Sequence, residues 1–473
     1  MQFDSIIYLF FLPLCVLIFY LLRSQKSRVV LLLIASYIFY GFWNPYYLIL
    51  ILGSTLVDYF VAQRIYDTSR KADKNRYLAK SLLFNLGLLF VFKYYNFFVS
   101  NLPSWFSSGA ETSLMHSFIL PVGISFYTFQ TISYSIDVYR SDIKPARNFL
   151  DFALFVSFFP QLVAGPIERA GNVLPQLQKY IFLDSRQISF GLKLILLGFI
   201  KKILFANNFA EYVDIVYAAP SSFTGWEVVF ATFLFAGQIY FDFSAYTDIA
   251  RGSAKLFGID LMENFRGPYF SSSIKEFWRR WHISLSTWFR DYLYIPLGGN
   301  RVGAKRVYFN LVVVFLVTGL WHGANWTFVI WGMIHGVFLI LERLGLGAIL
   351  NKLPKILTVG YVMGVTLLSW VFFRAASVGE ALEIYTAMLN LDPSTIFELS
   401  VYKGDQQMVD YLVLLVLVIL GIIMHFIEYK TPLVPGLNKL SSNKRFIVIL
   451  LSCIVLVLFG KYFDNSQFIY FQF

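Results

Sequence analysis

Apolar runs recur along almost the whole chain, from residue 6 to residue 463. About 20 consecutive apolar residues are enough for a helix to cross the hydrocarbon core of a bilayer. The chain is 58% hydrophobic and only 14% charged, whereas soluble domains usually carry about 25% charged residues. The pattern therefore predicts an all-α polytopic membrane protein, built as one continuous membrane domain over 1–473.

Twelve segments are candidate membrane spans. We place them near 4–22, 29–43, 46–63, 81–100, 117–137, 187–206, 226–250, 307–321, 325–341, 355–373, 409–428 and 446–462. A further short apolar piece at 149–166 contains Pro160 and the pair Gly165-Pro166. Because these residues interrupt a helix, we expect this piece to be re-entrant.

The formal net charge of +11 is carried mainly by short loops between the apolar runs. Cytoplasmic loops of membrane proteins collect Lys and Arg, so this distribution explains the charge without nucleic-acid binding, which we do not expect. Basic loops alternate with loops that hold at most one Lys or Arg. The basic loops, expected in the cytoplasm, are 64–80, 138–148 and 251–306, and the others, expected outside, are 101–116, 207–225 and 375–407.

The N-terminus is expected outside as well. Three basic residues at 23–28 follow the first apolar run instead of preceding it, which is the reverse of a cleaved secretory signal. One segment departs from the charge pattern, because Lys193, Lys201 and Lys202 lie within an apolar stretch at 186–202. We expect this helix to be tilted or to lie partly in the membrane interface.

The chain lacks the residue spacings that metal or thiol chemistry needs. Its two cysteines, Cys15 and Cys453, lie in apolar segments at opposite ends of the chain, which favours neither a metal cluster nor a disulfide framework. The sequence contains no Gly-rich phosphate loop and no Gly-x-Ser-x-Gly nucleophile turn. We therefore predict no metal site and no bound cofactor.

A histidine at membrane depth is the strongest candidate for chemistry. Residues 306 and 343 are both expected in the cytoplasm, so the apolar chain between them must enter the membrane and return through a turn at 321–325. An arm of about 15 residues rises about 22 Å, which places His322 beyond the middle of a core of about 30 Å. Ionisable groups at this depth are costly and indicate function. A neutral imidazole there can accept a proton from a hydroxyl, although a hydrogen-bonded core histidine is the alternative.

Other buried polar residues are expected to be structural. His116 and His425 lie near the ends of spans, and His335 lies in the middle of one. Asp248 is expected to pair with Arg251, three residues further along the same helix.

A second group of candidates lies in the basic loop. Ser273 and Glu276 form a capping-box pattern, which predicts a helix running to about Tyr294. Aromatic residues at helical spacing indicate an amphipathic helix in the membrane interface, and a cluster of arginines indicates a cationic rim for a phosphate-bearing donor. The two interpretations are compatible. The candidate residues are Arg279, Arg280 and Arg290, with His282 between them.

Several runs of residues resemble the signature of bacterial membrane-bound O-acyltransferases, in the branch that contains the alginate O-acetyltransferase membrane subunit. The long motif is WRRWHISLSTWFRDYLYIPLGGN at 278–300, and the shorter ones are FFPQLVAGPI at 158–167, LWHGA at 320–324 and ASYIFY at 35–40. The resemblance spans nearly the whole chain.

The resemblance implies about 11–12 transmembrane helices in a ring around a thin centre, with a catalytic tunnel and additional re-entrant and interfacial helices. It implies N-terminal helices in 1–148, a catalytic core in 149–345 and C-terminal helices in 346–473. The location implied is the inner membrane of a bacterium, with several membrane passes.

The resemblance also implies roles for individual residues. His322 stands at the position of the family's catalytic histidine and His282 at that of its companion. The implied acyl donor is acetyl-CoA or an acyl carrier protein in the cytoplasm, and the implied acceptor is an extracytoplasmic polysaccharide or a partner of the Ser-Gly-Asn-His (SGNH) class. Asn325 is a candidate hydrogen-bond donor to the oxyanion.

Within the family, D-alanyl transfer to teichoic acid and O-acetylation of peptidoglycan are alternatives. Outside it, a polytopic transporter or flippase fits the composition. Such proteins usually contain internal repeats or paired broken helices, and the sequence contains no convincing repeat.

Overall fold

The chain is mainly helical in the part that its computed structural model describes, residues 1–101, 120–396, 401, 405–462 and 468–469. No strand lies within those ranges, so the predicted all-α class is confirmed. The α-helices are Ile6–Leu21, Gln25–Gly41, Leu48–Asp67, Lys71–Leu89, Tyr95–Ser100, Ile124–Arg140, Phe149–Ser157, Phe159–Leu162, Ala170–Leu177, Ser185–Phe199, Asn207–Ala218, Gly225–Leu256, Ile274–Arg280, Ile283–Phe289, Ala304–His322, Trp326–Leu341, Gly347–Leu350, Lys355–Arg374, Val378–Leu389, Asp405–Lys430, Leu433–Asn438 and Ser442–Phe459.

Single turns of wider or tighter helix join some of these elements. The π-helical turns are Phe90–Tyr94, Ile200–Ala206, Arg290–Tyr294 and Glu342–Leu346, and the 3₁₀ turns are Pro45–Tyr47, Pro220–Ser222, Pro268–Phe270 and Pro393–Thr395. The turn Phe90–Tyr94 continues Lys71–Leu89 into Tyr95–Ser100. The helix over 71–100 therefore begins ten residues before the predicted span at 81–100, and part of the predicted basic loop 64–80 is helical.

Each of the twelve predicted spans contains a helix, and the polytopic architecture is confirmed. Eight helices within the described ranges are long and apolar enough to cross a membrane: Pro45–Asp67, Lys71–Ser100, Gly225–Leu256, Ala304–His322, Trp326–Leu350, Lys355–Arg374, Val409–Lys430 and Ser442–Phe459. The other four predicted segments hold helices of 15 to 17 residues: Ile6–Leu21, Gln25–Gly41, Ile124–Arg140 and Ser185–Phe199.

The chain packs as two compact units. The first comprises Met1–Ile195 with Thr247–Met262, and the second comprises Leu196–Tyr246 with Glu263–Phe473. These boundaries cut across the three predicted sub-regions, and the single-domain organisation stays a prediction. Every candidate site residue belongs to the second unit.

A buried carboxylate joins three helices of the first unit. Asp58 is fully buried and accepts hydrogen bonds from Ser81, from Asn85 Nδ2 at 2.7 Å and from Ser135 Oγ at 2.8 Å. Ser81 and Asn85 come from the following helix, and Ser135 from Ile124–Arg140. Because a buried polar group without partners is costly, this cluster fixes the three helices against one another. In the same unit, the predicted pair of Asp248 and Arg251 is confirmed at 3.6 Å.

Two consecutive lysines of the second unit are buried in ion pairs. Lys201 Nζ lies 2.6 Å from Glu428 Oε1, and Lys202 Nζ lies 2.7 Å from Asp242 Oδ1. The sequence predicted a tilted or partly interfacial helix for these lysines. The ion pairs give a different reason for lysines in an apolar stretch, and the sequence did not predict these pairs. Removing one partner of a buried ion pair typically costs about 3–5 kcal/mol, because the other charge is left uncompensated, so these four residues are expected to be sensitive to single substitutions.

The predicted hairpin in the second unit is confirmed, with arms Ala304–His322 and Trp326–Leu341 and the histidine at the end of the first arm. The arms touch at glycines. A Cβ added to Gly319 would lie 2.2 Å from the carbonyl oxygen of Phe328, and Gly332 is equally tight against the first arm. Larger residues would push the arms apart, so these glycines set the position of the histidine.

Candidate active site

Aromatic rings surround His322. The side chain is buried, with 5% of its surface exposed. The centroid of its ring lies 4.9 Å from that of Trp331, 5.0 Å from Trp321 and 5.4 Å from Phe373, with interplanar angles of 83°, 84° and 70°. These edge-to-face contacts are favourable for aromatic rings, and they enclose the imidazole in a surrounding of low polarity.

The predicted continuous helix over 273–294 is wrong. The segment instead contains two helices, Ile274–Arg280 and Ile283–Phe289, separated by a break. His282 stands at the break with φ 43° and ψ 56°, in the left-handed region. A residue other than glycine pays about 1–3 kcal/mol for such a conformation, and strain of this kind clusters at functional sites. The predicted start of the first helix is confirmed, since the Ser273 side chain accepts a hydrogen bond from the Glu276 backbone N–H at 3.0 Å.

The aromatic residues of this segment do not form an interfacial belt. Trp278, Trp281, Leu285 and Trp288 are all buried, with between 1% and 8% of their surfaces exposed. The break at 281–282 changes the direction of the chain, so the helical spacing on which the predicted belt depended does not hold across it. These side chains pack inside the second unit.

Asn264 holds the break in place. Its backbone oxygen accepts a hydrogen bond from the Ile283 N–H at 3.0 Å, and its Oδ1 accepts one from the Ser284 N–H at 3.1 Å. The first turn of Ile283–Phe289 is thereby capped from another segment, and the His282 side chain makes no capping bond. Sequence reasoning missed Asn264, because nothing in the sequence links it to a helix that begins 19 residues later.

The break turns the His282 side chain into the interior of the second unit. The ring is fully buried, and its centroid lies 4.7 Å from that of Phe243, 6.0 Å from Trp321 and 6.4 Å from His322. Burial lowers the pKa of His282 to about 3, so its imidazole is neutral at physiological pH. The rings of His282 and His322, the two histidines predicted as site residues, thus lie close together.

A cavity of about 1010 Å³ approaches this histidine pair. Ligand pockets commonly measure about 300–1000 Å³, so this one can hold a large substrate. Its exposed end, which we call the cationic mouth, is lined by Lys275, Arg279, Arg290 and Arg343. Its inner wall includes the buried residues Trp278, Phe315 and Thr318. Thr318 precedes His322 by four residues on one helix, so the cavity comes within one helical turn of the histidine.

Arg280 does not belong to the cationic mouth, and the prediction of one rim formed by all three arginines is corrected. Its Nε lies 2.9 Å from Glu276 Oε1, and its guanidinium carbon lies 4.2 Å from the centre of the Tyr429 ring. Successive helical residues point about 100° apart, so Arg279 and Arg280 face different surroundings. Arg290 does line the cavity, paired with Asp291 at 2.7 Å.

Asn325 acts as a cap in this structure. Its Oδ1 accepts a hydrogen bond from the Thr327 N–H at 3.1 Å, which starts the helix Trp326–Leu341, and its Nδ2 donates to the Ala376 carbonyl at 2.7 Å. These contacts give it a positioning role that was not predicted. Its proposed contact with an oxyanion stays a prediction.

The remaining histidines fit the structural roles expected for them. His335 Nε2 lies 3.0 Å from Ser369 Oγ, and His425 Nε2 accepts a hydrogen bond from the Tyr269 N–H at 3.0 Å. His116 lies outside the described residues. Across the described ranges, no three His, Cys, Asp or Glu side chains are grouped so that they could hold a metal ion.

The comparison with protein families identifies the class. The model of the membrane-bound O-acyltransferase (MBOAT) family matches residues 143–349, which include both histidines and the cationic mouth.

The chain is similar to named relatives over most of its length. It is 40% identical over 452 residues to the probable alginate O-acetylase AlgI of Pseudomonas aeruginosa. The aligned region covers 94% of this chain and 85% of that protein. It is 38% identical over 464 residues to the peptidoglycan O-acetyltransferase of Helicobacter pylori, covering 91% and 86%. The teichoic acid D-alanyltransferase of Streptococcus thermophilus is 30% identical over 234 residues, or 47% of this chain. The chain belongs to the MBOAT family, in the AlgI branch, and is a membrane O-acyltransferase.

Proposed function

We propose that this enzyme moves an acetyl group from a cytoplasmic thioester to hydroxyls of an extracytoplasmic polysaccharide. The observation that carries the proposal is the buried pair of His282 and His322 together with a cavity that has a cationic mouth and reaches Thr318, one helical turn before His322. The names of two relatives support acetyl as the group transferred, since the alginate O-acetylase AlgI covers 94% of this chain and the peptidoglycan O-acetyltransferase covers 91%.

The cationic mouth suits the phosphates of acetyl-CoA or of an acyl carrier protein. Arginine binds phosphate through a planar fork of donors, and Arg279, Arg290 and Arg343 line the same cavity. Charge-assisted hydrogen bonds of this kind are the strong ones. With its phosphates held there, the donor can extend its acyl group along the inner wall toward Thr318.

In the proposed reaction, His322 acts as general base. It takes the proton from an acceptor hydroxyl while the hydroxyl oxygen attacks the acyl carbonyl carbon. The new C–O bond forms, the C–S bond of the thioester breaks, and the proton passes from the imidazole to the departing thiolate. General acid–base catalysis contributes about 10²–10⁴-fold. Aromatic rings surround His322 and leave 5% of its surface exposed, and an enclosure that keeps water out would protect the thioester from hydrolysis.

His282 is proposed as the companion that positions His322. Its ring is too buried to meet bulk solvent, and its neutral state avoids a second positive charge near the base when His322 becomes protonated. The strained backbone at 282 keeps its ring against Trp321, which in turn packs on His322.

We further propose that the enzyme lies in the bacterial inner membrane with its N-terminus outside. The alternation of basic and non-basic loops supports this orientation. The acceptor then enters from the outer side, either as polysaccharide or through an SGNH-class partner that completes the transfer.

A second acceptor is favoured by one observation. The peptidoglycan O-acetyltransferase of Helicobacter pylori covers this chain almost as fully as the alginate O-acetylase does, so peptidoglycan is the alternative polymer. D-alanyl transfer is less well supported, because the D-alanyltransferase matches only 47% of this chain.

The proposal is tested with purified enzyme in proteoliposomes. Labelled acetyl-CoA, an acetyl-loaded carrier protein and a D-alanyl-loaded carrier protein are supplied on the side of the basic loops, and alginate or peptidoglycan fragments on the other. We expect label on a polysaccharide hydroxyl with an acetyl donor. Transfer from the D-alanyl carrier alone would contradict the assignment, and empty liposomes control for spontaneous hydrolysis.

A further inference from the structure

A narrow apolar cleft lies in the second unit, away from the cationic mouth. It measures about 200 Å³ and is bordered by the helices Gly225–Leu256, Lys355–Arg374 and Asp405–Lys430. All three helices contain candidate membrane spans. Met363 and Ile422 line the cleft, and 43% of the Ile422 surface is exposed. The cleft therefore opens on an exposed face of these apolar helices.

Cationic side chains gather at one end of the same helices. Lys355 is the first residue of its helix, and its Nζ lies 3.1 Å from the Tyr429 hydroxyl and 4.2 Å from the centre of the Tyr429 ring. Arg280 lies 4.2 Å from the centre of that ring as well. Lys430 ends the neighbouring helix, with its Nζ 4.4 Å from the centre of the Phe426 ring.

The cleft adjoins this cationic cluster. Phe270 lines the cleft, and its ring centroid lies 5.2 Å from that of Phe426 and 6.1 Å from that of Tyr429. Val359, which also lines the cleft, follows Lys355 by four residues, one turn along the same helix. A ligand with a charged head and an apolar tail can therefore occupy both parts at once.

The charge of the cluster is only partly compensated. Arg280 is paired with Glu276 at 2.9 Å. Neither Lys355 nor Lys430 forms an ion pair with a carboxylate in the part of the chain that the structure describes. Both lysines stand at the ends of apolar spans, the level at which lipid headgroups meet a membrane protein. Anionic headgroups attract basic residues there by about 1 kcal/mol each, or about fivefold in binding.

We propose that this groove binds one anionic phospholipid of the bilayer, with its phosphate on Lys355 and Lys430 and an acyl chain in the cleft. The site is separate from acyl transfer, and its occupant is not a substrate. It bears on the active site through one helix, because Lys355–Arg374 also carries Phe373, whose ring lies 5.4 Å from that of His322. A bound lipid would thus hold the helix that forms one side of the aromatic enclosure.

The experiment is native mass spectrometry of the full-length protein, released from membranes of defined composition. Phosphatidylglycerol and phosphatidylcholine with identical acyl chains are offered in equal amounts. The headgroup variant is Lys355→Gln with Lys430→Gln, and its matched control is Lys352→Gln with Lys439→Gln, which removes two exposed lysines that do not line the groove. Met363→Trp fills the cleft. Gel filtration and thermal unfolding establish that each variant folds.

We expect wild type and control to retain one phosphatidylglycerol in preference to phosphatidylcholine. The headgroup variant should bind it at least tenfold more weakly, given about fivefold for each lysine, and Met363→Trp should lower retention of both lipids. Equal retention of the two lipids, no change in the headgroup variant, or no effect of Met363→Trp would each overturn the proposal. Lipid-free dimers would also overturn it, by assigning the groove to a second copy. The readout is binding, so failure of the proposed acyl transfer would leave it unaffected.

Discussion

Two pairs of buried histidines in the second unit differ in how the backbone presents them. His335 and His425 lie within continuous helices, and each has a hydrogen-bond partner at 3.0 Å from a neighbouring element. His282 and His322 lie where helices stop, with ring centroids 6.4 Å apart. Burial is common to all four. The interruption of the helix is what separates the two pairs, and unusual or non-helical backbone in a buried membrane segment is typical of functional positions.

Among the tests of this comparison that leave His322 in place, the largest effect is expected at His282. Asparagine tolerates the left-handed conformation better than most residues, so His282→Asn removes the ring without changing the backbone. Misplacing a reacting group by about 1 Å can cost 10²-fold, and we expect a loss of about that size in turnover. The measurement is acetyl transfer in proteoliposomes at saturating donor. Turnover equal to wild type would place His282 with the structural pair.

The adjacent residues Arg279 and Arg280 sharpen the comparison, since only Arg279 lines the cavity. Lysine keeps the charge but loses the planar fork. Hydrogen bonds to charged groups are worth about 1.5–3 kcal/mol, so Arg279→Lys should raise the donor KM about tenfold to hundredfold with little effect on kcat. Donor titration of Arg279→Lys beside Arg280→Lys measures this. Equal KM values in both variants would refute the cationic mouth as the donor site.

The smallest effect on turnover is expected at His335 and His425. Replacing His425 by alanine leaves the buried Tyr269 N–H without its partner, at a cost of about 1–3 kcal/mol, and replacing either histidine leaves a gap in the packed interior. Thermal unfolding should therefore begin at a lower temperature, while turnover per folded molecule stays close to wild type. A variant with normal thermal stability and no activity would show that the structural pair also takes part in catalysis.

The sequence was sufficient for the hairpin and its histidine. Two apolar arms meet at 321–325, and the cost of an ionisable group in the membrane marks His322 whatever the tertiary contacts are. Local signals also set the start of Ile274–Arg280, because a capping box involves only residues four apart or fewer. These features are local, which is why they could be predicted.

The break at His282 could not be predicted, because its cause is distant. The residues after Ser273 contain no proline before Pro296, so local rules predict a continuous helix. Asn264 interrupts it by hydrogen bonds from another segment. The contacts of two other residues could not be predicted either. Arg280 pairs with Glu276 and lies against Tyr429, and Lys202 pairs with Asp242, 40 residues away. Each depends on tertiary contacts.

The most direct test of the account is the turnover of His322→Ala, with His322→Gln and His335→Ala measured beside it. The assay follows labelled acetyl transfer in proteoliposomes at saturating donor, normalised to folded protein. Loss of a general base predicts turnover lower by about 10²–10⁴-fold in both His322 variants, with an unchanged donor KM and unchanged thermal unfolding. If His322→Ala kept more than about a tenth of wild-type turnover, far above that range, His322 would not be the base and the central claim would be contradicted.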